Sequence, residues 1–291
     1  MSVWSARSRR RAVAFVVGFL VPLVVVGQRV RSVVHRTRDV PLSPLVARTR
    51  VGSDYLRRHG VTTGVNLSGE MDDMGEFARP DFDPDDVHPE VRRFYERTAD
   101  YDISYRVRWH RGFRVGAALA ARLTSRIEQL NLPGPWQSSG ETLTSELVAI
   151  DPDDDPRDGA RAWIRTDDSG TAVFVAIYAS HVRDANRYVN IAVPLPWSNL
   201  STVLHVRTLD ASDGNERGNG NASENGNAGI ELTTETETGD EGLYLRTPFG
   251  AVPLPMDQRF RVVPDGDGIH AEHEMWVFGR RFLTIEYDAD R

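Results

Sequence analysis

The sequence predicts a mainly β fold: a large antiparallel meander closing as a curved sheet or barrel, with two helices, preceded by one transmembrane helix. Three observations predict it. Beyond Trp136 the chain breaks into short alternating or wholly apolar stretches separated by compact turn signals, the pattern of strands. Ahead of them, Pro89 to Asp100 and Phe113 to Leu130 repeat apolar residues at helical spacing. Near the start, Ala12 to Gly27 (AVAFVVGFLVPLVVVG) carries no charge and is bracketed by arginines, as a membrane helix is.

That first run lies between Arg9, Arg10 and Arg11 on one side and Arg29 and Arg31 on the other. The rise from Arg11 to Arg29 is roughly 25 Å at about 1.5 Å per residue, short of a ~30 Å hydrocarbon core unless the arginines snorkel. A rival reading is a cleaved export signal, since Ser8-Arg9-Arg10-Arg11-Ala12-Val13 is a partial twin-arginine pattern before a short apolar run. Arg29, Arg31, Arg36 and Arg38 follow at once and oppose translocation, which favours an anchor and a single-pass topology. The longer basic run on that side places the following domain in the cytoplasm. Residues 1–58 then read as membrane anchor and basic juxtamembrane arm, and 59–87, broken by Gly60, Gly64, Gly69, Pro80 and Pro84, as an acidic linker or covering loop. Residues 88–291 form the β-rich domain, with 211–229 (ASDGNERGNGNASENGNAG) a disordered insertion.

Within the domain, Pro89 sits where a first helical turn tolerates it, and Val91, Phe94, Tyr95 and Thr98 recur on one face. Tyr101, Ile103, Tyr105, Val107 and Trp109 alternate with Asp102, Ser104, Arg106, Arg108 and His110, giving a strand with one wet face. In the second helix Val115, Leu119, Leu123, Ile127 and Leu130 form the stripe expected to be buried, and Asn131-Leu132-Pro133-Gly134-Pro135 ends it. Strands are expected at 142–150, 160–165, 171–182, 188–195, 202–208, 230–237, 242–247, 258–263, 269–278 and 282–287. Asp167-Asp168-Ser169-Gly170 and Pro264-Asp265-Gly266-Asp267-Gly268 are hairpin signals. At the centre, Thr171 to Leu195 is two apolar strands across the turn Arg183-Asp184-Ala185-Asn186. The first has Val173, Val175 and Ile177 on one side and Ala172, Phe174 and Tyr178 on the other, so both faces need cover from a barrel, a second layer or a ligand.

All 35 basic side chains are arginine, the acids number 42, and the net charge is −7. The charge is divided unevenly: residues 1–58 hold twelve Arg against Asp39 and Asp54, and residues 59–291 hold 23 Arg against 40 acids. A lysine-free, acidic chain suits molar salt, where repulsion is screened to about 3 Å. The basic arm suits anionic lipid headgroups, and the acidic remainder excludes a nucleic-acid-binding face. With zero Cys there is no disulfide framework, thiolate metal site or cysteine nucleophile.

The densest cluster of chemistry-bearing residues is Ile269 to Phe278. As a strand it puts His270, Glu272, Glu274 and Trp276 on one face and His273 among apolar residues on the other. His270 and Glu272 are a two-ligand metal pair at most; HExxH is absent and no third ligand is identified, so no metal is assigned. His273 reads as a hydrogen-bonded core histidine. No G-x-S-x-G elbow or phosphate loop appears, so no catalytic residue and no cofactor is assigned. Tyr178, Tyr188 and Asn190, with Trp197 at the rim, are the candidate ligand-binding residues, a pocket wall or a packed core.

The runs HPEVRRFYERTADYDI, LTSRIEQLNLPGP, RYVNIAVPLPWSNL and EMWVFGRRFLTIEY resemble the soluble C-terminal region of the YndJ-like bacterial membrane proteins. The resemblance covers about residues 88–291. Members of that family carry several membrane passes ahead of this region, where this chain has one apolar run; the family has no established activity, so the resemblance carries over no functional residue. The reading that results is a non-enzymatic module for a lipid or other apolar ligand, with membrane lipids and a membrane protein as further partners. The alternatives are a hydrolase or metal-dependent enzyme around His270, Glu272 and His273, and a structural partner domain.

Overall fold

Alternating apolar residues and tight turns build thirteen strands among the described residues. The computed structural model describes Thr37 and residues 39–136, 141–209, 229–236 and 239–291. Among the described residues the helices α1 (Tyr55–His59), α2 (Pro89–Glu96) and α3 (Arg114–Ile127) accompany β1 (Thr62–Asn66), β2 (Asp102–Trp109), β3 (Glu141–Ile150), β4 (Asp158–Thr166), β5 (Ala172–Arg183) and β6 (Asn186–Leu195). β7 (Ser198–Thr208), β8 (Ile230–Thr233), β9 (Gly242–Thr247), β10 (Gly250–Pro253), β11 (Met256–Asp265), β12 (Gly268–Val277) and β13 (Arg280–Asp290) complete the sheet.

The sheet closes on itself because two strands divide one edge between two partners. Along β7, Asn199–Val203 pairs with β9 while His205–Thr208 pairs with β8. β8 also pairs with β11, and from there β12, β13, β2, β3, β4, β5 and β6 lead back to β7. Ten strands thus form an antiparallel barrel, which removes the exposed edges an open sheet would leave. β3 divides in the same way, between β2 near Leu143 and β1 near Val148. The connection from β7 to β9 and from β8 to β11 departs from a strict meander. Three expected hairpins form. Asp184 and Ala185, both at positive φ (50° and 65°), make the β5–β6 turn in the conformation that matches strand twist. The turns at Asp167–Gly170 and Asp265–Gly268 join β4 to β5 and β11 to β12.

Both faces of the central strand are covered, by different means. Inside the barrel, Trp163, Ala176, Tyr178, Leu204, Leu232 and Ile269 belong to the main core. Met74, Phe77, Phe82, Val91 and Phe94 plug one end of it, held by turns capped through Asp73 and Asp83 and by α2, which starts at Pro89 behind the cap residue His88. Outside, Leu45, Ala47, Val51, Tyr55 and Leu56 lie over Val148, Ile164, Val175 and Ile177 as a second layer. Residues 45–56 therefore pack on the barrel, and 59–87 supplies β1 and much of the plug. The expected insertion 211–229 falls, apart from Gly229, outside the described residues.

Two expectations are corrected. No helix among the described residues is long and apolar enough to cross a membrane. The longest, α3, has 14 residues, about 21 Å of helix, and carries Arg114, Arg122 and Arg126. The single-pass topology, with the cytoplasmic placement that rested on it, is withdrawn; the run Ala12 to Gly27 itself lies outside the described residues. The second correction concerns α3. Of the stripe expected to be buried, Val115, Leu119 and Leu123 are 70%, 64% and 63% exposed, Ile127 and Leu130 are half-buried, and the buried residue of the helix is Ala117. The helix approaches the barrel with its small face, Ala117, Ala120, Ala121 and Thr124, and turns its large apolar side chains outward.

Candidate functional site

The barrel encloses a cavity of about 340 Å³, within the range of small-molecule sites. Its wall is built from the inward positions of the strands: Tyr105 and Trp109 of β2, Phe174 and Tyr178 of β5, Phe260 and Val262 of β11, Ala271 and Met275 of β12, Ile285 and Tyr287 of β13. Period-two alternation places all of these on one face. Ala117, Ala120, Ala121 and Thr124 of α3 cover it, and small side chains there leave space where leucines would fill it.

The segment leaving the lid helix is fastened to the barrel. Trp109 Nε1 donates to the Pro133 carbonyl at 3.0 Å, and Asn131 donates through its main chain to Val173 O and through Nδ2 to Ala172 O. Gln129, wholly buried, enters between β5 and β6. The two strands are in register only from Ile177 and Ala192 onward, and the Gln129 amide bonds Val175 and the Pro194 carbonyl in the gap they leave.

Few ionisable groups reach this wall. Arg165 of β4 is 8% exposed, with its guanidinium carbon 3.5 Å from the Trp163 ring centre and 5.5 and 5.7 Å from those of Phe174 and Tyr287. Its positive charge opposes the rise that burial imposes on the Tyr178 and Tyr287 phenols. No described carboxylate lies within 4 Å of it. Glu70 lies on the same wall, its main chain held by the Thr98 hydroxyl at 3.3 Å. The neighbouring Gly69 lets this segment pass against Glu96, whose backbone a Cβ would meet at 2.3 Å, and its carbonyl accepts from Arg161 at 2.9 Å. Burial pushes the Glu70 carboxyl up to about 7, against the pull of Arg165 and Arg161. His273 stacks on Phe260 with ring centres 3.7 Å apart and meets Gln258 Oε1 through Nε2 at 3.2 Å. Burial and the nearby Arg165 push its imidazole down to about 3, so it is neutral.

Of the residues singled out in the sequence, Tyr178 lines this cavity. Tyr188 stacks on His181 with ring centres 5.0 Å apart, in a separate cluster with Val203 and Tyr244, and Asn190 Oδ1 accepts from His181 Nδ1 at 2.8 Å. Trp197 is 64% exposed on the β6–β7 turn at φ 58°. These four are not brought together. His270 bonds Asp288 on the outer surface at 2.7 Å, whereas His273 faces inward, so β12 holds them on opposite faces. Glu274 is clamped by Arg259 and Arg281. Among the described residues no three of His, Cys, Asp and Glu gather as a metal would require. Sequence reasoning missed Arg165 and Glu70. The available signal was two arginines, Arg161 and Arg165, flanking Trp163 on one strand face.

The chain distantly resembles an uncharacterized membrane protein. That protein, YndJ of Bacillus subtilis (strain 168), is 29% identical over 250 residues, or 84% of this chain. The chain spans 42% of the length of that relative. No family model and no solved structure matches.

Proposed function

We propose that the domain is a non-enzymatic binding module that holds a lipid or other apolar ligand inside the barrel. The observation that carries this reading is the 340 Å³ cavity, lined by aromatic and aliphatic side chains and covered by a helix that offers it only alanines and a threonine. Each methylene taken from water gains about 0.8 kcal/mol, so a chain of eight to ten gains roughly 6–8 kcal/mol before the cost of immobilising it. The test is titration with N-phenyl-1-naphthylamine, a neutral dye that fluoresces in apolar surroundings. The wild-type chain takes up one dye per molecule, and Ala271→Trp, which fills the cavity from β12, takes up none while keeping its far-ultraviolet spectrum. A folded wild-type chain that leaves the dye dark contradicts the reading.

The outer face of α3 supports a lipid surface as the source of that ligand. Val115, Leu119 and Leu123 stand exposed between Arg111, Arg114, Arg122 and Arg126, and no acid occurs from Ile103 to Ile127 in an otherwise acidic domain. This arrangement fits shallow insertion among anionic headgroups, with the arginines in direct contact with phosphates. Sedimentation with phosphatidylglycerol vesicles tests it: the wild-type chain pellets and Val115→Ser/Leu119→Ser/Leu123→Ser stays in the supernatant. Equal sedimentation of the two removes the lipid surface from the account.

A further inference from the structure

Three polar regions outside the expected sites are candidates for further chemistry. The His181–Asp240–Arg183 group is closed by its own hydrogen bonds, and the small cleft by Arg161 and Arg187 is neutralised by Asp72, Asp158 and Glu76. The third, around Arg165, holds no ion pair to that arginine among the described residues.

A buried guanidinium costs several kcal/mol unless an anion or a full set of acceptors offsets it. Arg165 has three aromatic rings around it and no described carboxylate within ion-pair distance. Its Nε and the indole Nε1 of Trp163 are buried donors with no acceptor among the described residues. This part of the wall is thus rich in donors and poor in acceptors, and the rest of the cavity is apolar apart from Thr124, Thr202, Gln258 and His273. Glu70 is the acid that shares the wall. It faces Arg161 and Arg165 of β4, Tyr95 of α2, Tyr178 of β5 and Tyr287 of β13.

We propose that the ligand is an amphiphile with an apolar chain and a carboxylate head, and that Arg165 anchors the head. This rests on the reading of the cavity as a ligand site. A carboxylate brings only acceptors, which is what the Arg165 region lacks, and a guanidinium meets it with paired N–H donors. Trp163, Phe174 and Tyr287 pack their rings around the same guanidinium and hold it at the wall. Glu70 competes with the incoming head when ionised and ceases to when it takes a proton. Binding a carboxylate therefore draws a proton onto Glu70, and the affinity for it declines as pH rises through the neutral range.

The test is displacement of N-phenyl-1-naphthylamine from the full chain by three ligands with one tail: dodecanoate, dodecanol and dodecylammonium. At pH 7 dodecanoate displaces the dye at a concentration at least tenfold below dodecanol, and dodecylammonium is the weakest. Arg165→Met binds dodecanol as the wild type does and loses the preference for dodecanoate. Glu70→Gln, a second variant that leaves Arg165 in place, binds dodecanoate more tightly at pH 8 and dodecanol unchanged. Equal displacement by dodecanoate and dodecanol in the wild type overturns the carboxylate head while leaving the apolar cavity standing. Failure of the dye itself to bind overturns the cavity reading first.

Discussion

Gln129 takes the place of a strand neighbour for Val175: its Oε1 accepts from the Val175 N–H at 2.9 Å and its Nε2 donates to the Val175 carbonyl at 2.8 Å. The barrel is open between β5 and β6 at this point, and the side chain that closes it belongs to the segment leaving the lid helix. Glu128 and Leu130, at φ 49° and 55°, bend the chain to deliver it.

Gln129→Ala strips partners from the Val175 amide and carbonyl together and leaves the Pro194 carbonyl with one fewer donor. Buried groups left unpaired cost about 1–3 kcal/mol each, so a total loss of roughly 2–6 kcal/mol is expected. Because the seam lies beside the lid, dye uptake should accelerate as well. Thermal melting and stopped-flow fluorescence check the two effects; a variant as stable as the wild type would show that the seam is held by the strands alone.

On the outer face of α3, replacing Val115, Leu119 and Leu123 by Ser removes little buried surface, and each change should shift stability by under about 0.5 kcal/mol. Leu204→Ala, at a position with no exposure, should cost about 2–5 kcal/mol. Differential melting of the two variants distinguishes this arrangement from one in which the stripe is core.

Two buried groups give opposite pH dependences. Glu70 is raised from 4.5 to about 7, so the folded chain holds a proton that the unfolded chain has released, and stability declines as pH rises from about 4.5 to 7. His273 is lowered from 6.5 to about 3, so the unfolded chain binds the extra proton, and stability is lost as pH falls from 6.5 toward 3. Glu70→Gln should therefore exceed the wild type by about 1–3 kcal/mol at pH 8 and match it at pH 4. His273→Phe should flatten the acid limb. Melting at a series of pH values reads both, and an unchanged profile in either variant would remove that group from the account.

The lysine-free, acidic composition leads to a salt prediction. In molar KCl the repulsion among the 40 acids of residues 59–291 is screened; on dialysis to tens of millimolar the Debye length grows past 10 Å and the domain should unfold cooperatively. Tryptophan fluorescence follows this, and full retention of the native spectrum in low salt would exclude it.

Much of the barrel was legible because strand periodicity is local. The alternation from Tyr101 to Trp109 and from Ile269 to Phe278 assigned inward and outward faces that the structure keeps, including His273 inside and His270 outside. The outward stripe of α3 was not legible: helical periodicity gives a face but not which face meets the barrel, and here alanines pack closer than leucines would. Nor was the layer at 45–56, because its apolar residues, Leu45, Ala47, Val51, Tyr55 and Leu56, follow no regular period. The environment of Arg165 was out of reach for a different reason. Its neighbours come from β5 and β13, and whether an arginine lacks an acid partner is decided by residues far away in the chain.

The most direct measurement is what the chain carries when it is purified under native conditions in molar KCl. Solvent extraction followed by mass spectrometry should return one apolar molecule per chain, with a carboxylate at its head. A folded chain that yields nothing, and that leaves N-phenyl-1-naphthylamine dark, would contradict the proposal that this barrel is a ligand-binding module.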